Sequence, residues 1–273
     1  MRQRILRRAD CQFRHDRQLA RRETPDILTQ SGVVAMANRV MSLTPELVAR
    51  CHRVVEDSGP LPGIDHLTDG DYEELVYKAL ATRSSHGPLW LFAYGSLMWK
   101  PEIEHLDERV AVLRGWHRSF CINQIRWRGS PEHPGLMMGL ERGGTCRGVA
   151  FRLPDSEPRE QLDKLFRREM TAKPATYIPR WLRLETEAGQ IIALGFTVSR
   201  KGWAYAGRLS EEDVARMLAT ACGHWGSCAD YLYNTVANLE SRGIHDRHLW
   251  RLQELVATEI QAGHGAVATA AAG

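Results

Sequence analysis

The chain has 273 residues, 43% of them hydrophobic, with 36 Lys and Arg against 33 Asp and Glu for a net charge of +3. That composition supports a sizeable core and excludes wholesale disorder. The positive charge sits in residues 1–40, which hold nine arginines and four acids, so the remainder is slightly acidic and no basic surface for nucleic acid is expected.

Residues 1–40 read as an arginine-rich targeting segment, a basic arm, or an extension translated from a start codon upstream of Met41. Helical signals begin only after Met41, with Thr44 placed as an N-cap and Pro45 at the first helical position, so residues 1–40 are expected to be a basic extension, disordered or not translated. A helix is predicted over Pro45–Asp57, broken by "SGPLPGIDH", and a second over Asp71–Thr82. Residues 41–87 thus form an N-terminal helical segment.

"RSSHGP" leads into "WLFAYGSLMWKP", whose opening apolar run suits a buried strand ending at Tyr94. Gly95 is expected to take a positive φ, and the Gly95-Ser96 turn to present backbone N–H groups to an anion. The plainer alternative is an ordinary turn between strands. "RVAVLRGWHRSFCINQIRW", "GLMMGL" and "CRGVAFRLP" read as three strands separated by Gly/Pro turns.

A helix is predicted over Glu157–Met170, and two strands across "TYIPRWLRLETEAGQIIALGFTV" about a turn at Glu187–Gln190. Ser210 with Asp213 and Ser227 with Asp230 carry helix-start spacing, a third helix runs from Asp246 to Ile260, and residues 263–273 form a small-residue flexible tail. Because the strands come mostly in one run, the class is α+β, with an antiparallel or mixed sheet curled towards a barrel.

Six cysteines lie scattered without a C-x-x-C pair, the usage of a reducing compartment, so a cytoplasmic protein is expected. No apolar stretch has membrane-spanning length, and no apolar h-region follows the N-terminal arginines. His245 and His248 share i, i+3 spacing without a third ligand in view, and no metal is expected.

Glu169 is the most informative side chain. In "SEPREQLDKLFRREM" it follows Leu162 by seven residues, Leu165 by four and Phe166 by three, which puts it on their apolar face. A carboxylate so placed has a raised pKa and can shuttle a proton near neutrality. The alternative is that the helix ends there and Glu169 pairs with a neighbouring arginine.

"FAYGSLMW", "RGWHRSFC", "RGS", "HPGLMMGL", "GVAFRLP" and "FRREM" followed by Y-x-P-x-W occur in this order. Together they closely resemble the ChaC family of glutathione-specific γ-glutamylcyclotransferases, from about Pro88 to Val256, and the earlier helices resemble the N-terminal part of its bacterial members. The resemblance implies a γ-glutamylcyclotransferase-like fold over residues 88–262. It also implies cofactor-independent cleavage of glutathione to 5-oxoproline and Cys-Gly. Tyr94, Gly95, Ser96 and Leu97 would cradle the γ-glutamyl group, and Glu169 would be the general acid/base. Tyr205 and Tyr231 resemble family tyrosines near the substrate; each reads equally as a core tyrosine. Arg118 and Arg128 are candidates for the glycyl carboxylate, with surface charge as their alternative. Two departures stand out: Leu136 replaces the arginine of a family Pro-Gly-Arg, and "TAKPAT" is longer than in other members.

Two readings compete with glutathione cleavage: a cyclotransferase for other γ-glutamyl amino acids or amines, and a non-catalytic module binding a γ-glutamyl metabolite. A serine hydrolase using Ser96 is disfavoured because the second glycine of G-x-S-x-G is missing.

Overall fold

The computed structural model describes residues 39–84 and 87–263. The expectations for residues 1–38 and for the tail from residue 264 onward lie outside them.

Helix α1 (Pro45–Arg50) starts as expected, with the Thr44 hydroxyl accepting from the Leu47 N–H, but it ends seven residues early. The β-branched pair Val54-Val55 disfavours helix, and the Arg53 guanidinium donates to the Thr220 carbonyl at 2.7 Å, holding this stretch to the C-terminal end of a distant helix. Strand β1 (Asp65–His66) precedes α2 (Asp69–Ala81), which begins two residues before its predicted start through a reciprocal capping box between Thr68 and Asp71.

Strand β2 (Trp90–Ala93) is buried on both faces, which explains its unbroken apolar run. Trp90 and Phe92 join a cluster made of strand side chains, while Leu91 and Ala93 join the larger cluster shared with the helices. Strands β3 (Asp107–Gln124) and β4 (Gly135–Arg152) then pair antiparallel over most of their length. The predicted break within "ERGGT" is not a break. Gly143 and Gly144 take φ of +104° and +67°, Gly115 opposite takes +79°, and the register shifts between Arg114 and Trp116. The glycines form a bulge that bends one continuous ladder.

Helix α3 (Pro158–Glu169) leads to β5 (Ala172–Lys173), which pairs with β1, then to the hairpin of β6 (Tyr177–Thr186) and β7 (Gly189–Val198). Strands β2, β3, β4, β6 and β7 close into a barrel in the order β2-β4-β3-β6-β7, sealed where Leu91 of β2 pairs in parallel with Leu194 of β7. The α+β class with a small curled barrel is as expected. Helix α4 (Glu211–Thr220), the short hairpin of β8 (Cys222–Gly223) and β9 (Gly226–Ser227), α5 (Cys228–Ser241) and α6 (Arg247–Gln261) complete the fold. Ser210 and Ser227 cap α4 and α5 as their spacing predicts, and Asp246 caps α6.

The segment before residue 88 shares this core. Leu43, Leu47, Tyr72 and Val76 belong to the same buried cluster as Leu162, Leu218 and Val256. Hydrogen bonds secure it: Leu43 N–H to Gln253 Oε1 at 2.8 Å, and the Tyr72 hydroxyl to the Met170 carbonyl at 2.8 Å.

Candidate active site

A cleft of about 1110 Å³ is lined by the loop after β2, the last turn of α3, the ends of β3 and β4, and α5. Glu169 is the last residue of α3 and lies on its wall, where helical spacing from Leu162, Leu165 and Phe166 puts it. Its side chain is 14% exposed and its carboxylate accepts from Arg168 Nε at 3.0 Å. Both alternatives of the sequence reading thus hold together: the carboxylate lines the cleft and is paired. Burial raises its pKa above the ordinary glutamate value, opposed by the Arg168 charge.

Three tyrosines, Tyr94 and Tyr231 buried and Tyr177 half-buried, stand close enough to Glu169 for its charge to disfavour their ionisation. Burial is the main cause in each. Tyr94 donates to the Phe196 carbonyl at 2.9 Å and Tyr177 to the Met138 carbonyl at 2.8 Å, tying the barrel strands beneath the cleft. The Tyr231 phenol is pushed up to about 12, although backbone hydrogen bonds from Met138 and Ser96 favour its ionised form.

Gly95 does not have the expected positive φ; its φ is −139°. Glycine is needed there for another reason: a Cβ would lie 2.7 Å from the Tyr231 hydroxyl oxygen. Ser96 opens a 3-10 turn (Ser96–Met98) and lines the cleft, whereas Leu97 is buried in the core. Leu136 is also a core residue, and Thr171, Ala172 and Thr176 bring the long "TAKPAT" stretch into the cleft wall.

The two candidate arginines separate. Arg128 lines the cleft at 6% exposure; its Nη1 donates to the Ser227 carbonyl at 2.6 Å and to Asp230 at 3.1 Å, and its guanidinium lies 5.4 Å from the Tyr231 ring centroid. Arg118 is not part of the cleft wall. It is buried, and it pairs with the partly exposed Asp246, the N-cap of α6, 2.6 Å away, and with the Arg147 carbonyl. Tyr205 is also absent from that wall; its hydroxyl donates to Glu141 Oε1 at 2.8 Å. Tyr177, Arg168 and Trp99 line the cleft without having been singled out from sequence, although Tyr177 is the tyrosine of the Y-x-P-x-W motif.

Among the described residues, no group of three or more His, Cys, Asp or Glu is placed to hold a metal, and no helix is long and apolar enough to cross a membrane. His245 and His248 face Glu240 and Glu211, at 2.7 and 3.2 Å.

The barrel with its flanking helices is the fold of the γ-glutamylcyclotransferases. It matches the crystal structure of a selenomethionine-labelled γ-glutamylcyclotransferase specific to glutathione from yeast with a TM-score of 0.58, at 18% identity over 63% of this chain and 97% of that one. Residues 89–259 match the family model of ChaC-like proteins, and the chain belongs to that family. It is 36% identical over 168 residues to the glutathione-specific γ-glutamylcyclotransferase of Escherichia coli (strain K12), covering 61% of this chain and 72% of that protein. It is 30% identical over 179 residues to the glutathione-specific γ-glutamylcyclotransferase 1 of Mus musculus, covering 62% and 78%.

Proposed function

We propose that this protein cleaves glutathione by cyclising its γ-glutamyl group, with Glu169 as general acid/base. The observation that carries the reading is the position of Glu169: a carboxylate at a helix end, in the wall of the cleft, with its pKa raised by burial. The substrate's α-amine attacks its own γ-carbonyl carbon, and Glu169 takes the proton that the amine loses. The tetrahedral intermediate collapses by breaking the bond to the cysteinyl nitrogen, which receives that proton. The products are 5-oxoproline and Cys-Gly, with no water consumed. Because attack is intramolecular, the main task of the cleft is to hold the γ-glutamyl chain folded.

Ser96 and Tyr231 face the same space, and the Tyr231 phenol stays protonated through the physiological range. We assign it as a hydrogen-bond donor to the developing oxyanion. Arg128 serves the substrate's carboxylate end. Arg118 and Tyr205 are assigned to the scaffold, because each is engaged by a carboxylate away from the cleft. Residues 88–262 form the catalytic domain in this reading, and the buried, free cysteines suit a cytoplasmic enzyme.

The test is 5-oxoproline release from glutathione by the wild type and by Glu169→Gln. Turnover in the wild type with a loss of several hundred-fold in the variant is the expected result. Faster release from γ-glutamyl-alanine would transfer the activity to other γ-glutamyl compounds, and binding of glutathione without turnover would make the protein a sensor.

A further inference from the structure

One part of the cleft has no role in that chemistry. Trp225, at the tip of the β8–β9 hairpin, is 53% exposed, an unusual position for so large an aromatic group. Its ring lies 5.9 Å from that of Trp127 at an interplanar angle of 46°, and the Trp225 backbone N–H donates to the Trp127 carbonyl at 2.8 Å. His224 packs edge-on against Trp225 at 5.8 Å and is held to the Arg126 carbonyl at 3.2 Å. Lys100, paired with Glu102, sets its ammonium 5.7 Å from the Trp225 centroid. Backbone and ring contacts thus fix an aromatic shelf, with a cation at its rim, inside the cleft that contains Glu169.

The Cys-Gly portion of glutathione is small and polar and has no apolar group to cover two indoles. The cleft volume of about 1110 Å³ also exceeds the roughly 300–1,000 Å³ typical of pockets that enclose a drug-sized ligand. Sulfur is the one atom of glutathione that can carry an added aromatic group while both ends of the tripeptide stay unchanged. We propose that the shelf binds the substituent of S-substituted glutathione, and that thioethers bearing an aromatic group on sulfur are preferred substrates. The proposal rests on the cyclotransferase reading. The reaction is the same, the carbon–sulfur bond is untouched, and the products are 5-oxoproline and the S-substituted Cys-Gly.

The test compares kcat/KM for 5-oxoproline release from glutathione, S-benzylglutathione and γ-glutamyl-phenylalanine, using the full chain and its Trp225→Ala variant. We expect S-benzylglutathione to exceed glutathione several-fold, and Trp225→Ala to lower that ratio by about tenfold, the scale of one aromatic stacking contact. A wild-type ratio below one, or a ratio that Trp225→Ala leaves unchanged, overturns the proposal. So does a preference for γ-glutamyl-phenylalanine over both tripeptides. If no compound is turned over, the cyclotransferase reading fails instead. Calorimetry then decides the shelf by itself: tighter binding of S-benzylglutathione than of glutathione, weakened by Trp225→Ala, supports it, and equal binding overturns it.

Discussion

Gly95 and Tyr231 meet so closely that a single methyl group on the glycine would stand 2.7 Å from the phenol oxygen. The loop after β2 and helix α5 are therefore fitted to each other at the wall of the cleft. Gly95→Ala must push one of them back, and we expect a loss of about 1–3 kcal/mol in stability together with loss of turnover. Tyr231→Phe removes the obstructing oxygen, so the double variant should recover melting temperature but not activity. Thermal melts of the two single variants and the double variant check this; additive losses would refute the fit.

Glu169→Gln should gain stability at neutral pH as it loses turnover. The folded-state pKa is raised, so the folded protein holds the Glu169 proton more tightly than the unfolded chain. This favours folding below the unfolded value near 4.5, and the advantage fades as pH rises through the folded pKa. Glutamine stands in for the protonated form at every pH. The variant should therefore melt higher than the wild type at pH 7, with the gap closing towards pH 4. A gap that widens in acid would contradict the raised pKa.

Arg168 opposes the effect of burial on Glu169. Removing its charge in Arg168→Met should raise the Glu169 pKa further and move the acid limb of the kcat/KM profile to higher pH. A pH–rate profile of both proteins checks this. An unmoved limb would mean that another group controls it.

Arg118→Met leaves Asp246 without its partner beneath α6, where Asp246 also accepts the N–H groups of His248 and Leu249. A loss of about 2 kcal/mol is expected, because Arg118 is buried but Asp246 is partly exposed and keeps its bonds to the first turn of α6. KM for glutathione should stay near the wild-type value in the folded fraction. Denaturant melts and steady-state kinetics separate this scaffold role from substrate binding, which would instead raise KM.

What was legible in the sequence was local. The spacing of Glu169 from Leu162, Leu165 and Phe166 fixes its face because one helix carries all four. The caps at Thr44, Ser210 and Ser227 act within three residues of themselves. What depends on distant partners was not legible. Arg118 and Arg128 look alike in sequence, and only the folded chain gives one Asp246 and the other Asp230. The two glycines of "ERGGT" signal a turn by composition, yet pairing along β3 turns them into a bulge. Trp127 and Trp225 come from separate segments, and the β8–β9 hairpin brings them together.

Helix α1 contributes Pro45, Val48 and Ala49 to the cleft, and His52 follows just beyond it, although the family match begins at residue 89. The stretch in which kinship is written is thus shorter than the stretch that shapes the cavity. Two proteins sharing every motif from Tyr94 to Tyr231 can still admit different molecules if their leading helices differ. Exchanging that helix between relatives is accordingly a direct way to move selectivity from one to another without touching Glu169.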